Sequence, residues 1–76
     1  MINEKLKKLR LGLGYSQIWV SKKLGYKNSY SLYRKEKGKR NFSIRDIQEL
    51  CKLYNITVDE LLSEEAGGAE SDAKKN

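Results

Sequence analysis

Ile2, Leu6, Leu9 and Leu13 recur at intervals of four, three and four, with Lys5, Lys7, Lys8 and Arg10 set between them. Residues three and four apart share a helix face, so this spacing predicts an amphipathic helix at the start of the chain. Asn3 is a candidate for its cap, and Gly12 and Gly14 end it. Val20 and Leu24, four apart, belong to a second helix that Ser16 would cap and Gly25 would stop in a left-handed conformation. A third helix, capped by Asn28 or Ser29, is predicted to run to about Lys37, with Gly38 as its stop. Leu32 is its one strong apolar anchor.

Ser43 with Asp46 three residues on makes a capping box, with Asp in place of Glu. Ile44, Ile47, Leu50, Cys51 and Tyr54 follow at helical spacing, and Asn55 closes this fourth helix. Thr57 and Glu60 form a second capping box, for a short fifth helix carrying Val58, Leu61 and Leu62. No alternating strand pattern and no internal repeat occur. The fold class is therefore all-α, with five helices in residues 1–62. Residues 63–76 hold Gly, Ala, Ser and charge, a composition that cannot offset its ordering entropy, and are expected to form a disordered polar tail.

Charge changes the picture. The 76 residues carry 16 Lys+Arg against 10 Asp+Glu, a net charge of +6. Because the tail is acidic, the surplus falls on the helical part. From Lys22 to Arg45 the only acid among many cations is Glu36. Such a patch suits a polyanion, either nucleic acid or an anionic membrane. No apolar run reaches the length of a membrane span and no apolar signal segment follows Met1, so the chain reads as cytoplasmic. The lone Cys51 fits a reducing compartment and falls on an apolar face as a small core residue, with redox sensing as the rival reading. Without histidine there is no ordinary zinc set, and no paired carboxylates or nucleophile–base pair stand out, so no metal, cofactor or enzymatic activity is expected.

The third helix poses the sharpest question. It carries Tyr30, Tyr33, Arg34, Lys35 and Lys37 but little to bury, so its other faces must point out of the domain. An exposed helix of that chemistry, held out by a partner helix, has the size and the donors to enter a DNA major groove. The pattern Leu9-Arg10, Ser16-Gln17, Val20-Ser21, Leu24-Gly25, Leu32, Glu36-Lys37-Gly38-Lys39-Arg40 and Asn55 to Leu62 resembles the helix-turn-helix domains of the lambda-repressor and Cro type, the XRE family. The resemblance covers about residues 3–62. It implies a compact lambda-repressor-like domain with the helix-turn-helix at the second and third helices.

The resemblance also implies roles. Arg10 and Glu36 would form a partly buried ion pair between the first and third helices. Asn28, Ser29, Tyr30, Ser31, Tyr33 and Arg34 would face bases, with Arg34 the best candidate for a bidentate guanine contact. Ser16, Gln17, Lys27, Lys37, Lys39 and Arg40 would meet phosphates, and Ile56, Val58 and Leu62 would supply part of a homodimer surface. Double-stranded DNA is the implied partner and no small-molecule ligand is implied. The function implied is transcriptional regulation, as a repressor of phage or mobile-element type. An antitoxin, a restriction-modification controller and a protein-interaction module that no longer reads DNA are the alternatives.

Three departures from the family pattern stand out. The interval from Gly25 to Leu32 is one residue longer than its commonest form. Lys35 occupies a place where an apolar residue is usual, so that either its stem snorkels over the core or the helix end packs loosely. Trp19 stands where a polar residue is usual; its ring either packs on the domain, with Tyr26 a candidate neighbour, or meets a partner. For Tyr30, Tyr33 and the basic run Arg34 to Arg40, a plain solvated or apolar-covering role stands beside the DNA-binding one.

Overall fold

The computed structural model describes residues 2–63. Helices α1 (Ile2–Gly12), α2 (Gln17–Leu24), α3 (Tyr30–Glu36) and α4 (Ile44–Tyr54) are followed by α5, residues 58–63, and no strand occurs among the described residues. Residue 63, expected to open the tail, is still helical, and the rest of that tail lies outside the described residues.

The helix ends follow local chemistry. Ser16 is extended, with φ −79° and ψ 157°, and its Oγ accepts the Trp19 N–H at 3.0 Å. At the other end of α2, Gly25 turns the chain at φ 83°, a conformation glycine adopts without a Cβ clash. Ahead of α4, the Asp46 N–H donates to Ser43 Oγ at 3.0 Å and the Ser43 N–H donates to Asp46 Oδ2 at 3.2 Å, completing the capping box. Asn55 then ends α4 at φ 61°, a left-handed position that asparagine tolerates better than branched residues. Thr57 and Glu60 repeat the reciprocal pair ahead of α5, at 2.8 and 2.9 Å.

Leu6, Val20, Leu32, Leu50, Cys51, Tyr54 and Leu61 are buried together, so every helix contributes to one core. Small Ser21 is buried beside Val20 in α2. Burial also raises the Cys51 thiol pKa above its ordinary value, which disfavours the reactive thiolate.

Four expectations need correction. Asn3 is inside α1 and caps nothing; its side-chain Nδ2 instead donates to the Glu36 carbonyl at 3.1 Å, tying α1 to the end of α3. Leu13 falls beyond the end of α1 and is exposed, because the helix stops at Gly12 before the stripe completes. Ile44 is 76% exposed: it opens α4 on the side away from Asp46, which is buried in the same turn, and the core is entered further on by Leu50, Cys51 and Tyr54. Trp19 does pack on its own domain, but against Tyr15, with ring centroids 4.5 Å apart, and not against Tyr26.

Candidate nucleic-acid interface

Five residues, 25–29, separate α2 from α3, and they make the long turn visible in the sequence. The cap of α3 comes from Asn28, whose Oδ1 accepts the Tyr30 N–H at 2.9 Å, whereas Ser29 makes no side-chain capping bond. With seven residues, α3 cannot hold its own shape in water and depends on packing. Leu32 anchors its inner face, and two charged side chains anchor its C-terminal turn.

The first is Glu36. Arg10 Nε donates to Glu36 Oε2 at 2.7 Å and Arg10 Nη2 donates to Oε1 at 3.0 Å, a two-point grip that a planar guanidinium is shaped to make. Arg10 Nη1 is used as well, on the Tyr15 carbonyl at 2.8 Å. Gln17 Nε2 adds a further donor to Glu36 Oε1 at 3.0 Å. The carboxylate is thus satisfied in a place only 4% exposed, and α1, α2 and α3 meet on it.

The second is Lys35, and here sequence reasoning missed the arrangement. Lys35 is 8% exposed, but its stem does not carry the ammonium out to water. Nζ donates to Asp46 Oδ2 at 2.5 Å and to the Tyr26 hydroxyl at 2.8 Å, while lying 4.9 Å from the centre of the Tyr26 ring. The α4 cap, the long turn and α3 therefore converge on one ammonium. A cation at a core position, with an acid in a helix cap ten residues or so downstream, was the available signal.

Burial alone would raise the Asp46 pKa, but its hydrogen bonds with Lys35, Tyr26 and the Ser43 backbone outweigh it and hold the carboxyl below its ordinary value. For Lys35, burial lowers the pKa, and the hydrogen bonds to Asp46 and Tyr26 more than reverse this, leaving it raised. The stability from Asp46 is therefore present above its unfolded pKa near 3.8 and is lost as pH falls through the lowered folded value. That from Lys35 is present below its unfolded value of 10.5 and is lost as pH rises through the raised one. In Lys35→Met, Asp46 keeps its burial and loses its cation, so its pKa should rise. The deficit of this variant relative to the wild type, read from urea midpoints, is expected to be largest near neutrality and to narrow as pH falls through about 5 to 3.

With Leu32, Lys35 and Glu36 turned inward, the remaining residues of α3 form the outer face. Tyr30 and Tyr33 are exposed and stack at 6.4 Å between centroids and 22° between planes. Arg34 Cζ lies 5.7 Å from the Tyr30 ring centre and Lys37 Nζ 5.6 Å from that of Tyr33. Cations and tyrosines thus alternate along one ridge. Asn28 is exposed beside it, with Ser29 and Ser31 half-buried, and Lys22, Lys23, Lys27, Lys37, Lys39, Arg40 and Arg45 are exposed. The Ser16 hydroxyl and the Gln17 amide, by contrast, are engaged within the protein. Among the described residues no group of three or more His, Cys, Asp or Glu could hold a metal, and no helix is long and apolar enough to cross a membrane.

A short cationic helix, propped outward by a preceding helix across a turn that starts at left-handed Gly25, and kept in place from behind, defines a helix-turn-helix domain. A family model described as helix-turn-helix matches residues 6–61. The chain belongs to that family, in its XRE, Cro/C1-type branch, and is a DNA-binding helix-turn-helix domain. No curated protein and no solved structure matched the chain.

Proposed function

We propose that the chain is a sequence-specific repressor of transcription, of phage or mobile-element type, acting in the cytoplasm as a two-fold dimer on duplex DNA. The observation that carries this reading is the outward ridge of α3, where Tyr30 and Tyr33 are exposed and half-buried Arg34 lies over the Tyr30 ring, while Leu32, Lys35 and Glu36 are buried. Asn28, Ser29, Tyr30, Ser31, Tyr33 and Arg34 would meet base edges. A bidentate grip of Arg34 on guanine would contribute roughly 1–3 kcal/mol of discrimination. Lys27, Lys37, Lys39 and Arg40 would hold phosphates, as would the N-terminal end of α2 at Ser16 and Gln17, through backbone amides, the helix dipole and the Ser16 O–H, which its capping bond leaves able to donate.

A single helix reads too few base pairs for useful specificity, which favours a dimer whose half-sites repeat at about 34 Å. Ile56 ahead of α5 and Val58 at its start, both half-buried, and exposed Leu62 near its end would supply part of the dimer surface. Regulation is expected to come from protein level, a partner protein or proteolysis.

Selection of bound sequences from random duplex DNA tests the proposal. The wild type should enrich a two-fold symmetric motif. Arg34→Ala should relax preference at one base position per half-site. Lys39→Ala should weaken all sequences alike and reduce the slope of log affinity against log salt by about 1. A wild type that enriches nothing would refute sequence-specific regulation.

A further inference from the structure

Lys35 looks from its sequence like one more phosphate-binding cation, set between Arg34 and Lys37 in the most basic part of the chain. Its placement says otherwise. Nζ is engaged by Asp46 Oδ2 at 2.5 Å and by the Tyr26 hydroxyl at 2.8 Å, and the side chain is 10% exposed. Tyr26 and Asp46 sit on either side of α3 in the chain, one in the turn that enters it and the other in the first turn of α4.

We infer that Lys35 is a positioning residue: it touches no DNA, and by tying the long turn to the α4 cap it sets which bases Asn28, Ser29 and Tyr30 read. The inference rests on the DNA-reading role of α3 proposed above.

Three observations support it. The turn at 25–29 is five residues long, and a loop of that length has many conformations to lose. Within it, Asn28 is held by the Tyr30 N–H at its far end, and Tyr26 half-buries its ring near the start with its hydroxyl on Lys35. At the helix itself, successive residues pull in different directions: Glu36 is fixed to α1 and α2, and Lys35 to α4 and the turn. Side chains on adjacent helical positions lie about 100° apart, so two such anchors fix the rotation of α3 about its axis, which one anchor cannot do. Rotation decides which side chains meet base edges. A lysine serves where an apolar residue would not, because Asp46 also accepts the Ser43 N–H and so carries the tie into the backbone of the α4 cap.

The test compares the full chain with its Tyr26→Phe and Lys35→Met variants on two probes, the duplex that the wild type selects and an unrelated duplex of equal length. Tyr26→Phe keeps the ring and removes only the hydroxyl link, so it remains informative should Lys35→Met fold poorly. Both variants are expected to keep the wild-type salt slope, to lose about tenfold in the ratio of specific to unrelated binding, and to change base preference at the positions read by Asn28 to Tyr30. Amide hydrogen exchange at residues 26–31 should quicken while that of α4 does not. A salt slope reduced by about 1 in Lys35→Met would make Lys35 a phosphate contact and overturn the inference. So would an unchanged base preference in folded Tyr26→Phe. A wild type that selects no sequence would sink the DNA reading and, with it, any role of Lys35 in readout; unchanged exchange at 26–31 would sink the structural tie independently.

Discussion

Arg10→Ala is expected to leave much of the protein unfolded at 25 °C. The substitution deletes the guanidinium that makes two hydrogen bonds to Glu36 and one to the Tyr15 carbonyl, and it strands a carboxylate whose side chain is 2% exposed. Breaking one side of a buried pair costs about 3–5 kcal/mol. A folded unit of this size has a total stability on the order of 3–9 kcal/mol, so the loss takes a large share of it. Gln17 remains on Oε1 but is neutral and cannot replace the charge. Urea unfolding followed by circular dichroism should show the midpoint falling steeply. The paired replacement of Arg10 by Met and Glu36 by Leu should regain most of the loss, because the penalty belongs to the orphaned charge more than to the absent bond. An Arg10→Ala midpoint within error of the wild type would mean that the pair is not desolvated in solution.

Leu32→Ala should destabilise the fold by about 2–5 kcal/mol, the usual range for truncating a fully buried leucine. Leu32 is wholly buried and is the apolar anchor of α3, whose other inward residues are charged. A cavity there removes the packing that keeps a seven-residue helix formed. Loss of binding to the selected duplex should therefore accompany loss of stability. Leu32→Met, which nearly conserves volume, should cost less than about 1.5 kcal/mol and keep binding. If Leu32→Ala bound DNA as tightly as the wild type, α3 would be held chiefly by its charged anchors.

Comparison of particular residues shows how far the sequence could be read. The caps at Ser16, Ser43 and Thr57 and the left-handed stops at Gly25 and Asn55 were legible because each is an exchange between groups three or four residues apart. The Arg10 and Glu36 roles came from family resemblance, whereas the outward ridge of α3 was legible in its lack of an apolar stripe. From sequence Lys35 reads as snorkelling or loosely packed, because its partners are nine residues before it and eleven after it, on other elements. Ile44 shares the helical spacing of the core residues yet is exposed, because periodicity counts faces but does not say where a neighbouring helix stops. For Trp19 the ring that packs is Tyr15, four residues before it, and not Tyr26, seven after it, so here the nearer neighbour in sequence was the better guide.

By itself, then, the chain's order of residues determined five helices, most of their ends, the family and the location of the positive charge. These follow from apolar spacing, capping chemistry and composition, all of which act over one or two turns. Tertiary structure alone decided that the Lys35 ammonium is spent inside the domain, that the Gln17 amide serves Glu36, and that Asn3 holds the end of α3. Whether a polar side chain faces water or a buried partner depends on how separate helices cross, and that is set by packing the whole core at once.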